Sequence, residues 1–416
     1  MAPDQQPGES ETLAHDDLRE GRAPWIHPDV PRFVAPRESL TCDVAVVGAG
    51  ITGSLVAEHL SARGLNVVLI DREQASHGST AASTAMLQWE IDRSLVELTE
   101  LHGFERAVRA YRLSLAAVAG LRGLINGLGL ACAFRPRSTL YLAAGAAGPD
   151  DIAAEFALRR RAGLPGRHLD FGALRRSFDI DRAAAILSPG SAEADPMALA
   201  GGLTGIAAGR GVRRIAGDAR DFDATDRMVH IGLADGHEIE ARHAVLATGY
   251  VMPDVVSSAL HTVTSTFAIA TRPQSPARLW RDRVLIWEAS QVYHYLRTTA
   301  DDRIIIGGGD EPYGDQDRRI GEAAGKHAAL RAMLSAFWPR AHGDIAFAWS
   351  GAFGQTADGL PLIGPVPGRR RILAAYGYGG NGITFSFLAS RMIGAMIAGD
   401  AAPWHEDFAL DRDRPR

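Results

Sequence analysis

From Asp43 the chain turns abruptly from polar to apolar. Val44-Ala45-Val46-Val47 is a continuous apolar run of the length expected of a buried strand. Gly48-Ala49-Gly50-Ile51-Thr52-Gly53 follows, then a helical stretch to about Arg63, then a second apolar run, Val67-Val68-Leu69-Ile70, closed by Asp71. Strand, glycine turn, helix, strand is a βαβ unit. Residues 104–128 place Val108, Tyr111, Leu115, Val118, Leu121 and Ile125 three or four apart. That is the period of an amphipathic helix, and its three glycines predict close packing rather than exposure. Residues 131–190 give only a mixed, irregular pattern. A helical segment near 196–208 leads into strands that end with Ala244-Val245-Leu246-Ala247-Thr248-Gly249. Alternation around 292–296 and 303–306 predicts antiparallel strands within 263–308, with a helix near 322–337. The last quarter returns to apolar strands and glycine turns, closing with a helix over about 382–397.

These periods predict an α/β fold: a discontinuous Rossmann-like dinucleotide-binding domain, interrupted twice by a mixed α/β domain built on an antiparallel sheet. The expected nucleotide-binding parts are 39–105, 190–260 and 345–416, the last including a C-terminal tail; the second domain takes 106–189 and 261–344. Residues 1–38 read as a polar extension laid over the surface.

Composition narrows the partners. With 416 residues, 46% hydrophobic and 22% charged, the chain has the make-up of a globular enzyme. A net charge of −5 provides no basic footprint for nucleic acid. No run of 18 uninterrupted apolar residues predicts a membrane span, and no basic start with an apolar run predicts a signal peptide. The two cysteines, Cys42 and Cys132, lack metal-ligand spacing and fit a reducing compartment. The expected location is the cytoplasm. No metal site is expected, and the oligomeric state is left open.

The glycine turn carries the first chemistry. Gly48 permits the tight turn, Gly50 lets backbone approach a pyrophosphate, and Gly53 lets helix and strand pack closely. The helix N-terminus at Ile51 and Thr52 offers N–H groups and a positive dipole to phosphate. Asp71 can accept from ribose hydroxyls and disfavours a 2′-phosphate, an exclusion that Arg72 weakens.

Two further segments specify the nucleotide. Gly78-Ser79-Thr80-Ala81-Ala82-Ser83-Thr84 is a run of small residues suited to backbone contact along an extended cofactor. Near the C-terminus come Trp349-Ser350-Gly351, Asp358-Gly359-Leu360-Pro361-Leu362-Ile363-Gly364, and Gly377-Tyr378-Gly379-Gly380-Asn381-Gly382-Ile383-Thr384. This ordered set, over roughly residues 42–398, resembles the D-amino-acid oxidase superfamily, in the branch of glycine oxidase and sarcosine oxidase. The resemblance implies FAD lying between the two domains. It places Ser79, Thr80, Ser83 and Thr84, then Thr248 and Gly249, and then Gly351 along the cofactor. Gly379, Gly380, Asn381, Gly382, Ile383 and Thr384 would meet the flavin ring, where a glycine turn opening a helix aims N–H groups at charge formed on reduction. Some relatives tether FAD through a histidine in the small-residue segment or a cysteine near the C-terminus. Here Ala82 or a neighbour fills the first position and no cysteine follows Cys132, so the FAD is expected to be non-covalent; His77, just upstream, is the remaining candidate tether.

The same resemblance implies oxidation of a small amine or amino acid, with oxygen or another acceptor taking the electrons. Sarcosine-oxidase relatives place a lysine over the flavin to assist oxygen; the only lysine here, Lys326, is expected on a peripheral helix, which predicts modest oxygen reactivity. Substrate carboxylates in this family are commonly gripped by an arginine of the substrate-domain sheet. Arg297 is the candidate, sharing a strand face with Tyr293, Tyr295 and Thr299. Gln88, Trp89, Trp287 and Glu288 are further candidates for the substrate side, whereas His102, His261 and His327 have no chemical context. Two alternatives remain open: a hydroxy-acid or polyol-phosphate dehydrogenase, which would need a base for the hydroxyl proton, and a flavin-bearing subunit of an electron-transfer complex.

Overall fold

The computed structural model of the chain describes residues 18–25, 33–73, 75–290 and 292–413. They form two sheets. One, of eight strands, runs Leu362–Val366, Arg369–Tyr376, Glu238–Leu246, Leu40–Val47, Val67–Asp71, Arg213–Ala216, with Val229–Leu233 and Ala219–Ala224 added beside Glu238–Leu246. Its central strands are parallel and their residues are buried on both faces, which is why they read as unbroken apolar runs. Helix Ile51–Ala62 packs against Pro196–Gly209, where Ser54 and Thr204 hydroxyls meet at 3.0 Å, and against Gly382–Ala398.

The second sheet, of ten strands, is mostly antiparallel. Its order is Arg19–Gly21, Ile345–Thr356, His261–Thr271, Ile304–Glu311, His294–Thr298, Leu285–Ala289, Arg135–Ala143, Ala184–Glu193, Met86–Leu87, with Arg167–Asp170 also on Ala184–Glu193. Leu285–Ala289 and Arg135–Ala143 are its parallel pair. Among the described residues no helix is long and apolar enough to cross a membrane.

The α/β architecture is as the sequence predicts, with four differences of detail. Strand Ile345–Thr356, assigned above to the nucleotide unit, is hydrogen-bonded along its whole length to His261–Thr271 in the larger sheet, and the chain rejoins the smaller sheet only at Leu362. The extension is not simply laid on the surface: Arg19–Gly21 pairs as an edge strand with Ile345–Thr356, and Glu20 forms an ion pair with the buried Arg319 at 2.8 Å. The irregular stretch 131–190 contains regular structure, Arg135–Ala143, Pro149–Arg161, Arg167–Asp170, Phe171–Phe178 and the start of Ala184–Glu193. Pro136, Pro189 and Gly190 had masked its strand pattern, and a register shift between Arg137 and Thr139 accommodates them. In helix Phe104–Leu128, one of the three glycines packs closely: a Cβ on Gly120 would lie 2.6 Å from the Phe387 ring, but one on Gly123 or Gly127 meets nothing.

Candidate active site

A cavity of about 960 Å³ opens at the C-terminal ends of the parallel strands and reaches the face of the larger sheet. At one end lies the glycine turn. Gly48, at φ +99°, carries the bend, and a Cβ there would sit 2.4 Å from the Ala247 carbonyl oxygen. A Cβ on Gly53 would come within 1.8 Å of the Gly48 oxygen, so the helix can seat on the turn only with glycine there. Gly50 differs: its absent Cβ would meet only Thr80 Oγ1, at 3.1 Å, and the position borders the cavity. No side chain caps helix Ile51–Ala62 and its first turn holds no acid; Ile51 N–H donates to Thr80 Oγ1 at 3.0 Å. An uncapped helix start beside a space that a side chain would fill suits a pyrophosphate. Asp71 closes this end: Oδ2 accepts from Ala49 N–H at 2.6 Å and Oδ1 from Glu73 N–H at 2.9 Å, and burial holds its carboxyl above the usual range.

The small-residue segment runs along the cavity, with Ser79, Thr80, Ser83 and Thr84 in the lining and Ser79 Oγ buried without a partner. Its path is fixed from behind. The carbonyls of four consecutive residues each accept from a side chain: Ala82 from Trp349 Nε1 (2.9 Å), Ser83 from Trp25 Nε1 (2.7 Å), and Thr84 and Ala85 from Arg297 Nη1 (2.9 and 2.8 Å). Ala85 sits at φ +51°, a conformation that costs a non-glycine residue energy and persists because its surroundings over-determine it.

Gly48, Gly50, Ile51, Thr52, Asp71, Arg72, Thr248, Gly249, Gly351, Gly379, Gly380, Gly382 and Ile383 also border the cavity. Gly53, Asn381 and Thr384 do not. Gly53 serves packing, as its Cβ geometry requires. Asn381 and Thr384 are buried clamps on the segment 88–92: Asn381 Nδ2 donates to the Glu90 carbonyl at 2.7 Å, its Oδ1 accepts from Asp92 N–H at 3.2 Å, and Thr384 Oγ1 donates to the Gln88 carbonyl at 2.8 Å. Two residues expected at the flavin ring thus fix segment 88–92 from behind the cavity.

At the far end the lining comes from the larger sheet and from segment 88–92: Gln88, Glu90, Asp92, Thr266, Trp287, Tyr293, Tyr295 and Asp310. Tyr295 lies flat over Gly307, its register partner, where a Cβ would sit 2.3 Å from the phenol oxygen. Gly308 and Gly309 have positive φ, and the register shifts opposite them between Ser265 and Phe267. This bulge re-aims the strand so that Asp310 borders the cavity. Asp92 receives the Gly380 N–H, and the Tyr293 hydroxyl donates to it. Glu90 is buried and held by Thr139, Ser191 and Arg159.

Arg297 corrects the sequence reading. It shares a strand face with Tyr295 but lies beyond the cavity, fully buried. Besides the Thr84 and Ala85 carbonyls, it donates to Ala194 O at 3.1 Å and Thr298 O at 2.9 Å, with Glu193 at 3.7 Å and Trp25 stacked at 5.5 Å. Its Nε and Nη1 are committed to backbone carbonyls and the residue does not border the cavity, so it is not placed to grip a substrate carboxylate there. Trp89 is likewise buried outside the cavity, Nε1 on the Pro189 carbonyl, and Glu288 pairs with Arg182 and His294. His102, His261 and His327 lie elsewhere, and His77 borders the cavity beside Gly78. Lys326, on helix Gln316–Phe337, is held by Glu311 and the Gly309 carbonyl and does not border the cavity.

Asp92, Glu90 and Asp310 were missed from sequence. The signal for Asp310 was Gly307-Gly308-Gly309 inside an otherwise apolar strand, a bulge signature ending on an acid. Asp92 had no comparable local signal, since only the return of the chain at Gly380 brings a partner to it.

The family model described as FAD dependent oxidoreductase matches residues 43–396. The chain is 26% identical over 385 residues to a gamma-glutamylputrescine oxidoreductase of Escherichia coli (strain K12), covering 89% of this chain and 86% of that one. It is 25% identical over 389 residues to a glycine oxidase of Geobacillus kaustophilus, covering 89% and 97%. The crystal structure of glycine oxidase from Geobacillus kaustophilus superposes with a TM-score of 0.77 at 22% identity, over 90% of this chain and all of that one.

Proposed function

The chain belongs to the family of FAD-dependent oxidoreductases, and on that premise we propose that it dehydrogenates the C–N bond of a small amine or amino acid. FAD, when bound, would supply the two-electron acceptor for the hydride from the carbon next to nitrogen, leaving an imine for hydrolysis by water. The turn Gly48–Thr52 would hold the pyrophosphate, and Asp71 with Arg72 the ribose end. Ser79, Thr80, Ser83, Thr84, Thr248 and Gly249 would hold the cofactor along its length, and Gly351, Gly379, Gly380, Gly382 and Ile383 would hold its ring system. Tyr293, Tyr295 and Gln88 position the substrate opposite. One observation carries this reading: a single cavity joins the uncapped helix start at Gly50 to the sheet face at Tyr295. Substrate held there has its reacting carbon oriented rather than activated by strong acid–base groups.

Two results test it. In anaerobic titration, a panel of small amines and amino acids bleaches the flavin absorbance, and matched 2-hydroxy acids do not. Bleaching by hydroxy acids alone would overturn the reading. The second concerns attachment. Ala82 occupies the cavity wall where a tethering histidine would stand, and both cysteines are buried in the described residues away from the cavity. Acid precipitation should therefore release all the yellow colour into the supernatant, whereas colour pelleting with the protein would point to a covalent link such as one at His77.

A further inference from the structure

The far end of the cavity is acidic and aromatic, and among the described residues no arginine or lysine lines it there. Its wall carries Asp92 and Asp310, with Glu90 behind them already paired to Arg159. Among the described residues the arginines that border the cavity are Arg19, Arg72 and Arg220. Arg72 and Arg220 belong to the nucleotide-binding sheet and its connections. Arg19 lies on the edge strand three strand spacings, about 14 Å, from the strand of Asp310, its Nε on the His77 carbonyl. Arg297 donates to backbone carbonyls, Lys326 is engaged by Glu311, and the His294 imidazole is hydrogen-bonded to Glu288. Among the described residues Asp310 Oδ1, Trp287 Nε1 and Gln88 Nε2 are buried without partners, although all three residues border the cavity. Trp287, Tyr293 and Tyr295 form a continuous aromatic wall, with ring centroids 6.5 and 6.0 Å apart.

Building on the proposed amine oxidation, we infer that the substrate end entering this pocket is an aliphatic ammonium without a carboxylate, held by Asp310 and Asp92 among the rings of Trp287, Tyr293 and Tyr295. A carboxylate there would meet two like charges and no guanidinium. An ammonium meets opposite charge and three π faces. A diamine satisfies both demands of the reaction, since one nitrogen stays cationic at Asp310 while the other is oxidised as the neutral amine. Burial, with Asp92 adding repulsion and Thr266, His294 and Lys326 opposing it, pushes the Asp310 carboxyl up to about 6; Tyr293 and Tyr295 stay neutral beside it. Protonation removes the anchoring charge, so affinity for an ammonium falls as pH drops through about 6.

The test uses the intact holoenzyme under anaerobic conditions. Putrescine, n-butylamine, 4-aminobutyrate and glycine are titrated by calorimetry and by perturbation of the flavin spectrum. Putrescine and butylamine should bind at least tenfold more tightly than the two amino acids, and Asp310→Asn should weaken putrescine by about 10- to 150-fold, the range of a charged hydrogen bond. Asp310→Glu should recover part of the loss, and flavin content reports whether each variant is folded. Equal or tighter binding of the amino acids to the unaltered enzyme would overturn the inference, as would failure of all four to bind. Putrescine affinity unchanged in a flavin-replete Asp310→Asn variant would overturn it too. Bleaching separates the two readings. Amino acids that bind and bleach the flavin while diamines do neither would leave amine oxidation standing and remove this inference. Tight, Asp310-dependent putrescine binding with no bleaching by any amine or amino acid would do the reverse.

Discussion

Gly50→Val yields a folded but colourless protein. The absent Cβ of Gly50 has one neighbour, Thr80 Oγ1 at 3.1 Å, and otherwise borders the cavity at an uncapped helix start. A branched side chain there displaces the phosphates instead of distorting the protein. It also removes the closest approach between cofactor and backbone N–H groups, where the helix dipole acts. Loss of a site of this kind lowers affinity by at least about 100-fold, or ~2.7 kcal/mol. The check is the ratio of flavin to protein absorbance after gel filtration, with circular dichroism confirming the fold. A variant that retains full flavin would remove the pyrophosphate from this loop. Gly53→Val should behave differently, because its Cβ would overlap the Gly48 carbonyl and the helix would have to move.

Arg297→Ala should damage the fold rather than the Michaelis complex. The guanidinium satisfies carbonyls at Thr84, Ala85, Ala194 and Thr298 and balances Glu193, all in a buried setting. Truncation removes the side-chain donor from those carbonyls and leaves Glu193 with Arg137, at 2.8 Å. Breaking a buried pair in this way costs about 3–5 kcal/mol. The unfolding midpoint should fall by several degrees, and flavin content should fall with it, since Thr84 and Ala85 border the cavity. Among molecules that retain flavin, KM should be close to that of the unaltered protein. Arg297→Lys recovers little, because a point charge cannot reach carbonyls on several sides as the planar fork does. A raised KM with an unchanged unfolding midpoint would restore Arg297 to the substrate site.

Local chemistry accounts for what the sequence determined unaided. The βαβ unit from Val44 to Asp71 was legible because each step has a short-range cause: apolar strands, glycines where a Cβ cannot fit, an acid at the strand end. The helices Phe104–Leu128, Pro196–Gly209 and Gly382–Ala398 followed from periodicity, and helix Gln316–Phe337 begins six residues before its predicted start because Asp315 caps it. The antiparallel second sheet was visible as alternation, but its edges were not. Pairing of Ile345–Thr356 with His261–Thr271, and of Arg19–Gly21 beyond it, depends on hydrogen bonds between segments far apart in the chain.

Only the tertiary structure decided the substrate side. Alternation put Tyr293, Tyr295, Arg297 and Thr299 on one face; the strand holds Tyr295 and Arg297, with Tyr293 and Thr299 just outside it, and a face does not say where the cavity ends. That boundary falls between Tyr295 and Arg297 because the carbonyls of Thr84, Ala85 and Ala194 converge on the arginine. Asp310 reaches the cavity through a bulge whose register is set by the neighbouring strand, and Asp92 is fixed by Gly380 from the other end of the chain. The cofactor cradle was readable because backbone geometry makes it. The charge of the substrate pocket was not, because it is the sum of side chains that only long-range packing brings together.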